Sequence, residues 1–420
     1  MNISELHRRY LESNSVSTDT RNIKEGDIFF ALKGENFDAN AYVDEAIEKG
    51  AKFVVLDNIE YSKDDKQYIL VDDVLENLQK LANYHRNFLQ VPILALTGSN
   101  GKTTTKELIY AVLSQKYYLK ATKGNLNNHI GVPLTILSMN RNTEIGVVEM
   151  GTNHFGEIKK LCEIAEPDFG YITNFGKAHL ESFKNIEGVI KAKSELYNYL
   201  IENEKKAFVN LWDERQLEFT KNLVTIAVNP LEIYKTKEPQ LSFIYNNDIV
   251  HTQLVGDYNI NNIAAAVAIG QFFDVSNELI KEAIESYKPE NKRSQFIVKN
   301  QVKIVLDAYN ANPTSMHAAL RTFAEEGVAY KIPVLGDMFE LGETALEEHQ
   351  NIVDEVRKLG FETAIFIGQH FSETKPNSYK TYQNFEAFKN QFDSDDFKDK
   401  TLLIKASRGM ALERVVDLFD

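Results

Sequence analysis

A glycine-rich loop, Leu-Thr-Gly-Ser-Asn-Gly-Lys-Thr-Thr-Thr at residues 96–105, constrains the fold of this chain more than any other feature. The apolar run Val91–Leu96 before it predicts a strand, and Leu108 and Val112 after it have the spacing of one helix face. A strand, a tight glycine loop and a helix in this order are typical of α/β folds in which backbone N–H groups at the helix start bind phosphate. The loop therefore predicts a nucleoside triphosphate site.

Within this loop, Lys102 can place a positive charge on the phosphates, and the Thr103 hydroxyl can reach Mg²⁺. The loop departs from the pattern GxxxxGK[ST], because Leu96 stands where the first glycine is expected and the loop starting at Gly98 is shorter. The alternative is a plain strand-to-helix turn with a chance lysine. The residues predicted to bind the nucleotide here are Gly98, Ser99, Asn100, Gly101, Lys102, Thr103 and Thr104.

Length and charge limit the class of protein. A chain of 420 residues exceeds the usual size of one core, so about two to four domains are expected. The net charge of −14 argues against binding to nucleic acid or to an anionic membrane. The single cysteine, Cys162, excludes an intrachain disulfide. No signal-peptide stretch and no run of about 18 apolar residues is found, so we expect a cytoplasmic protein.

The order of apolar runs predicts three α/β domains, at residues 1–87, 88–288 and 289–420. Strands and helices alternate through the central stretch, which predicts a mostly parallel sheet with helices on both faces. The polar stretch at residues 287–293 contains a proline and is the expected second boundary. Four further apolar runs, at residues 303–307, 332–336, 363–368 and 402–405, predict the strands of a third domain of Rossmann type.

Three residues of the central stretch could carry chemistry. Glu149 ends the predicted strand Ile145–Met150, and ligands of parallel sheets bind beyond the carboxyl ends of strands, so Glu149, Asn174 and the glycine loop should converge. Glu149 could bind Mg²⁺, and His179 could bind a second cation or act as a base. Lys193 lies on a predicted helix. Each also has an ordinary interpretation, as a solvated strand-end carboxylate, a plain loop histidine and a solvated lysine.

Two polar stretches could bind an anionic sugar nucleotide. The Asn-rich loop at 124–131 offers uncharged donors and acceptors, and residues 17–21 combine hydroxyls with an arginine. Both stretches could instead form turns or helix caps. The candidate residues are Ser17, Thr18, Asp19, Thr20, Arg21, Lys33, Asn125, Asn127 and Asn128.

Together the motifs resemble those of the Mur ligases, the ATP-dependent amide-forming enzymes of peptidoglycan assembly. The resemblance covers nearly the whole chain and rests on the strings TGSNGKTTTKE, EMGTNHFGEI, NFGKAHLESF, KAKSELY and GDYNINNIAAAVAIG. It implies a small α/β amino-terminal domain for a sugar nucleotide, a central P-loop ATPase domain and a Rossmann-like carboxy-terminal domain. In this family the missing first glycine of the loop is a common feature.

Within the family, the strings DAYNANPTSM, VLGDMFELG, NLNNHIGVPLT and STDTR are most similar to members that add D-alanyl-D-alanine to UDP-MurNAc-tripeptide. The resemblance implies that ATP converts the tripeptide carboxylate into an acyl phosphate, which the amine of the dipeptide then attacks. One departure is Tyr258, where relatives commonly have His. A monomer is the simpler expectation.

The resemblance also assigns roles to residues. It implies catalytic roles for Lys102, Glu149, His179 and Lys193, and two Mg²⁺ sites whose ligands are Thr103, Glu149, His179 and Lys193, the last as a carbamate formed with CO₂. Desolvation favours the neutral amine that carbamate formation needs, and Lys191 is the neighbouring candidate. The remaining implied residues are Asn259, Asn262, Asp307 and Asn310 for the nucleotide, and Lys405, Ser407 and Arg408 for the phosphates or the incoming carboxylate.

Other functions stay open at this point. The nearest alternatives are a ligase of the same fold that adds the third residue of the stem peptide, and a folylpolyglutamate synthase. An alternative from another class is a non-catalytic ATP-sensing assembly protein. A second cation site at Glu149, His179 and Lys193 would argue against a sensor, which has no need of one.

Overall fold

The computed structural model describes residues 1–236, 238–290, 292–325 and 330–419. Three α/β domains follow one another along these residues, which confirms the predicted fold class. Residue 291, within the predicted boundary stretch 287–293, lies outside the described residues. The division after residues 87 and 288 stays a prediction.

The first domain is built on a small parallel sheet. Its elements are α1 (Ile3–Leu11), β1 (Val16–Ser17), β2 (Ile28–Phe30), β3 (Lys33–Gly34), β4 (Phe37–Asp38), α2 (Val43–Glu48), β5 (Phe53–Leu56), β6 (Tyr68–Leu70) and α3 (Val74–Leu89), with 3₁₀ turns at Thr20–Asn22, Ala39–Tyr42 and Ile59–Tyr61. The sheet has the order β1-β2-β5-β6, and β3 and β4 form an antiparallel ribbon. Asp73 caps α3, whose buried Leu78, Leu81, Ala82 and His85 have the spacing of an amphipathic helix.

The central domain carries the glycine loop. Its elements are β7 (Ile93–Thr97), α4 (Lys102–Leu113), β8 (Leu119–Ala121), α5 (Gly131–Leu137), β9 (Ile145–Glu149), α6 (Glu157–Ala165), β10 (Phe169–Ile172), α7 (Leu180–Phe183), α8 (Ile186–Lys193), α9 (Glu195–Glu202), β11 (Lys206–Asn210), α10 (Glu214–Phe219), β12 (Val224–Val228), β13 (Glu232–Ile233), β14 (Gln240–Tyr245), β15 (Asp248–Val255), a 3₁₀ turn (Asp257–Asn259), α11 (Ile260–Phe272) and α12 (Asn277–Ser286).

The main sheet of this domain is parallel, in the order β12-β11-β10-β7-β9-β8. Every residue of β7 and β9 is buried, as expected for strands covered on both faces. A separate antiparallel sheet of β13, β14 and β15 was not predicted. The predicted helix through Lys193 is divided into α8 and α9, which meet at Ser194.

The third domain has a six-stranded sheet in the order β16-β17-β21-β18-β19-β20, parallel except for β16. Its elements are β16 (Gln295–Lys299), β17 (Val302–Asp307), α13 (Pro313–Glu325), β18 (Lys331–Gly336), α14 (Ala345–Lys358), β19 (Ile365–Ile367), α15 (Gln369–Ser372), β20 (Lys380–Tyr382), α16 (Phe385–Lys389) and β21 (Thr401–Lys405), with 3₁₀ segments at Gly342–Thr344, Ser394–Phe397, Arg408–Met410 and Leu412–Phe419. The predicted strands near 303–307, 332–336, 363–368 and 402–405 are confirmed.

The domains pack directly on one another. Helix α3 of the first domain lies against α5 and α6 of the central domain, and one hydrophobic cluster joins Leu78 and Leu81 of α3 to Val132 and Leu161. Another cluster joins Leu180 and Phe183 of α7 to Met338 and Leu341 of the third domain. No helix among the described residues is long and apolar enough to span a membrane.

Candidate active site

A cleft of about 1490 Å³ lies beyond the carboxyl ends of the central strands. All three domains contribute to its walls, the first domain through Leu75 and Gln79 of α3. The sequence-predicted site residues that line it are Ser99, Asn100, Gly101, Lys102, Thr103, Thr104, Asn125, Asn127, Asn128, Glu149, His179, Asn259, Asn262, Asp307, Asn310, Lys405, Ser407 and Arg408. Those that do not line it are Gly98, Lys193, Ser17, Thr18, Asp19, Thr20, Arg21 and Lys33.

The glycine loop needs its glycines for both conformation and space. Gly98 has φ +146°, and a Cβ added there would lie 1.9 Å from the Thr173 hydroxyl oxygen. Gly101 has φ +80°, and its Cβ would lie 2.5 Å from Asn262 Oδ1. Both backbone conformations are ones that other residues rarely adopt. Helix α4 begins at Lys102 directly after this turn, so its N-terminus faces the cleft.

Neighbouring strand ends hold the loop in place. The Asn100 N–H donates to Asn174 Oδ1 at 3.1 Å, and the Thr173 hydroxyl donates to the Asn100 carbonyl at 2.6 Å. The Lys102 ammonium folds back and donates to the Gly98 carbonyl at 2.8 Å. Burial lowers the pKa of this ammonium, although Glu149 opposes that effect. These contacts confirm that the loop and Asn174 converge.

Glu149 lies in the floor of the cleft and is 1% exposed. Its Oε1 accepts from the Thr103 hydroxyl at 3.3 Å and from the Asn127 amide at 2.8 Å. Its Oε2 is buried and has no hydrogen-bond partner among the described residues, with the Lys106 ammonium 3.6 Å away. The Lys106 ammonium balances this buried charge without donating a hydrogen bond to Oε2, and carboxylate and hydroxyl oxygens are the ligands that Mg²⁺ prefers. Glu149 and Thr103 therefore fit a Mg²⁺ ion.

His179 faces the third domain. Its Nδ1 lies 2.7 Å from Oε2 of Glu340, and this contact lowers the pKa of the Glu340 carboxyl. Both residues line the cleft. The structure thus brings His179 into the same cleft as Glu149, with a carboxylate from another domain against its ring.

Lys193 lies behind the cleft wall. It is 1% exposed and makes no hydrogen bond or ion pair among the described residues. Burial lowers its pKa well below the usual value for lysine, and the nearby Lys102 ammonium lowers it further. Within the described part of the chain, no group of three or more His, Cys, Asp and Glu residues has the geometry of a metal site. A cation site that included Lys193 would need oxygen ligands besides the carboxylates of Asp and Glu, and a carbamate on the lysine would supply such oxygens.

The Asn-rich loop and helix α11 lie on either side of the glycine loop. Asn127 contacts Glu149, and Asn128 Oδ1 accepts from the Gly131 N–H at 2.9 Å. Asn262 Oδ1 accepts from the Thr105 hydroxyl at 3.0 Å, and its amide donates to Asn259 Oδ1 at 2.8 Å. Asn262 of α11, which contacts Asn259 of the preceding 3₁₀ turn, thus stabilises the base of the loop from one side.

The third domain closes the cleft from above. Its Asn312 amide donates to Asn100 Oδ1 of the glycine loop at 2.7 Å. The Lys405 ammonium lies 2.5 Å from Asp307 Oδ2, so these two predicted residues pair with each other. The Ser407 hydroxyl accepts from the Phe339 N–H at 2.9 Å, and Arg408 donates to the Tyr309 hydroxyl at 3.2 Å.

The predicted residues of the first domain lie apart from the cleft, near the carboxyl edge of its own sheet. Arg21 pairs with Asp19 at 2.7 Å, and the Lys33 ammonium lies 2.8 Å from Asp57. The Ser17 hydroxyl donates to the Asp19 carbonyl at 3.0 Å. Their role in binding a sugar nucleotide stays a prediction.

Sequence reasoning missed three residues of the site. Glu340, Asn312 and Lys106 were not singled out, although Glu340 and Asn312 lie inside motif strings of the third domain and Lys106 lies one turn after Lys102. Lys106 could have been found from the sequence, because it is a charged residue on the helix that follows the phosphate loop. No local signal pairs Glu340 or Asn312 with residues of another domain.

Comparison with known proteins agrees with this geometry. Residues 96–270 match the family model described as Mur ligase middle domain, residues 292–416 match Mur ligase, glutamate ligase domain, and residues 12–86 match Mur ligase family, catalytic domain. The chain belongs to the Mur ligase family. It is an ATP-dependent ligase that forms amide bonds.

Individual proteins of this family are similar to the chain over nearly their whole length. The chain is 36% identical to the UDP-N-acetylmuramoyl-tripeptide--D-alanyl-D-alanine ligase of Bacillus subtilis, over 96% of this chain and 92% of that protein. A crystal structure of MurF from Acinetobacter baumannii has a TM-score of 0.88 at 29% identity and covers 100% of this chain and 98% of that one. MurF ligase from Thermotoga maritima, solved in complex with ADP, has a TM-score of 0.84 at 26% identity, over 98% and 97% of the two chains.

Proposed function

We propose that this chain joins D-alanyl-D-alanine to UDP-MurNAc-tripeptide and hydrolyses ATP to ADP and phosphate in doing so. The Bacillus subtilis relative, which carries this activity in its name, matches nearly the whole chain. The observation that carries the proposal is the position of Glu149. Its Oε1 accepts from the Thr103 hydroxyl at the glycine loop, and its Oε2 has no hydrogen-bond partner among the described residues, with the Lys106 ammonium 3.6 Å away. A cation held there would lie next to a triphosphate bound on the loop, as phosphoryl transfer requires.

In the first step, a carboxylate oxygen of the tripeptide attacks the γ-phosphorus of ATP, and ADP leaves. The N-terminus of α4 and the Lys102 ammonium would bind the phosphates and stabilise the negative charge that develops on them. In the second step, the amine of D-alanyl-D-alanine attacks the acyl carbon. Phosphate leaves with the bonding electrons, the amine loses a proton, and an amide is formed.

Two Mg²⁺ ions would be held, one by Thr103 and Glu149 and the other by His179 and a carbamate on Lys193. They would supply the positive charge that brings two anions together. Carbamate formation joins the Lys193 nitrogen to CO₂ and releases a proton. It needs a neutral amine, and the burial that lowers the pKa of Lys193 favours that form.

The third domain would exclude water from the acyl phosphate. Its Asn312 contacts the glycine loop, and the Lys177 N–H after β10 donates to the Thr314 hydroxyl at 2.8 Å. Water inside a closed site would hydrolyse the intermediate, so a seated third domain protects it. Asp307 and Asn310 would bind the nucleotide, and Lys405, Ser407 and Arg408 the phosphates or the dipeptide carboxylate.

The first domain would bind the UDP part of the substrate through Ser17, Thr18, Asp19, Thr20, Arg21 and Lys33, with Asn125, Asn127 and Asn128 on the path to the cleft. Leu75 and Gln79 of α3 already reach the cleft wall, which supports a path from this domain to the ATP site. A cytoplasmic monomer without nucleic-acid ligands completes the proposal.

The test is phosphate release with Lys102→Ala. The unmodified protein should release phosphate only when UDP-MurNAc-tripeptide and D-alanyl-D-alanine are both present, and Lys102→Ala should abolish the release with an unchanged circular dichroism spectrum. Lys221→Ala, which removes an exposed lysine outside the cleft, is the matched control and should keep full activity. Steady phosphate release without either substrate would contradict the proposal and favour an ATP sensor.

A further inference from the structure

We infer that Glu340 is a positioning residue: a carboxylate of the third domain that orients His179 of the central domain for cation binding. This inference rests on the proposed function, in which His179 binds Mg²⁺. It goes further by making that site dependent on a residue from a different domain. None of the sequence motifs pointed to this pair.

The contact between the two residues is direct. His179 Nδ1 lies 2.7 Å from Glu340 Oε2, while His179 is 20% exposed and Glu340 is 48% exposed. An ionised carboxylate can only accept a hydrogen bond, so in the neutral imidazole, the form that binds a metal, Nδ1 carries the proton. The lone pair of the imidazole is then on Nε2, which has no hydrogen-bond partner within the described ranges. A histidine that binds a metal commonly donates its other N–H to a carboxylate in this way.

The backbone supports the same contact. Glu340 and His179 have φ +62° and +52°, in the left-handed region that only a minority of residues other than glycine adopt. The Glu181 N–H donates to the Glu340 carbonyl at 3.0 Å. A Cβ at Gly342 would lie 3.2 Å from the Glu181 Cα, so the two segments are in close contact.

The segment that carries Glu340 is anchored in the third domain. The Phe339 N–H donates to the Ser407 hydroxyl at 2.9 Å, and the Met338 N–H donates to Nε2 of the buried His349 at 3.0 Å. Because these anchors belong to the third domain, a displacement of that domain would carry the carboxylate away from His179. The orientation of His179 therefore depends on the third domain being seated.

A second ion pair across the same interface makes it possible to distinguish the orientation of His179 by Glu340 from a general role of Glu340 in holding the two domains together. The Lys177 ammonium of the central domain lies 2.6 Å from Glu348 Oε1 of the third domain, and neither residue is a proposed cation ligand. If Glu340 only held the domains together, the loss of Glu348 would have the same effect on cation binding as the loss of Glu340. Glu348→Gln is therefore the matched control.

The experiment measures Mn²⁺ affinity by electron paramagnetic resonance in the presence of a non-hydrolysable ATP analogue. Glu340→Ala should weaken the binding of the cation that His179→Ala also weakens, by about tenfold to a hundredfold. Glu340→Gln should lose less, because its amide oxygen can still accept from Nδ1–H. Glu348→Gln should bind Mn²⁺ like the unmodified protein, and thermal unfolding of each variant checks that it folds.

A double-substitution cycle gives the sharper result. In a His179→Ala background, Glu340→Ala should cause no further loss of Mn²⁺ affinity, since its effect acts through the imidazole. The inference is overturned if Glu340→Ala leaves Mn²⁺ affinity unchanged, if its effect is the same without His179, or if His179→Ala itself has no effect. The assay contains no peptide substrate, so a failure of the proposed ligase reaction would show separately, in phosphate release.

Discussion

Gly98→Ala should abolish tight nucleotide binding, because this position admits no side chain. The φ of +146° is strained for alanine, at a cost of about 1–3 kcal/mol. The added Cβ would lie 1.9 Å from the Thr173 hydroxyl oxygen and 3.0 Å from the Thr173 backbone nitrogen. The hydroxyl would have to turn away and lose its hydrogen bond to the Asn100 carbonyl, worth about 1 kcal/mol.

Together these terms amount to about 3 kcal/mol, which corresponds to about a hundredfold weaker binding of ATP if the loop leaves its geometry. Isothermal titration with a non-hydrolysable ATP analogue measures this loss. Gly360→Ala is the matched control, because Gly360 has φ +76° but a Cβ there meets nothing within 4 Å. It should cost about 1 kcal/mol of folding stability and leave nucleotide affinity unchanged.

The clash with Thr173 gives a second check on the same reasoning. In a Thr173→Ala background, Gly98→Ala should lose less affinity than in the unmodified chain, because the oxygen 1.9 Å away is gone. If Gly98→Ala binds the nucleotide as tightly as Gly360→Ala does, the conformation of the short loop does not depend on the absence of a side chain at Gly98.

Two further predictions concern buried titratable groups. Lys193→Ala should abolish ligation, and small carboxylic acids that take the place of the carbamate should partly restore it. Lys191→Ala removes an exposed lysine and should stay active. Phosphate release measures both variants, and full activity of Lys193→Ala would contradict the carbamate. His7→Gln should reduce the loss in free energy of unfolding that the chain undergoes as the pH falls. Burial, aided by the nearby His85, lowers the pKa of His7 from 6.5 to about 4, so the unfolded chain binds more protons between these values. Stability is therefore complete above about pH 6.5 and falls by up to about 3 kcal/mol as the pH drops toward 4. Urea unfolding at pH 7 and pH 5 measures this fall, and an equal fall in His7→Gln would contradict the assignment.

Much of the central site could be predicted from sequence because parallel sheets place their strand ends together. Glu149 and Asn174 follow different strands of one sheet, and both contact residues of the glycine loop, Thr103 and Asn100 respectively. Buried strands can be recognised from the local sequence. Because the carboxyl ends of parallel strands lie at the same edge of a sheet, residues at those ends are then expected to be close to one another. The sequence therefore indicated which side chains meet at this end of the cleft, and their binding of phosphate and cations stays a prediction.

Contacts between domains could not be predicted in this way. Glu340 meets His179, and Asn312 meets Asn100, across an interface whose geometry depends on how whole domains pack. No hydrophobic period or turn signal describes that packing. The division of one expected helix at Ser194 was also missed, because the apolar face continues from α8 to α9. Lys106 was passed over for a related reason, since its burial depends on the neighbouring Asn-rich loop, whose Gly124 carbonyl accepts its hydrogen bond at 3.1 Å.

The most direct test of the proposed reaction is the mass of the sugar nucleotide after incubation with this protein. UDP-MurNAc-tripeptide, ATP, Mg²⁺ and D-alanyl-D-alanine are combined, and the product is analysed by mass spectrometry beside a Lys102→Ala sample. The proposal predicts a gain of one dipeptide less one water, with one ADP and one phosphate formed for each amide, and no gain with Lys102→Ala. An unchanged mass despite phosphate release would contradict it, as would extension of UDP-MurNAc-dipeptide by a single amino acid in a parallel sample that contains those two substrates.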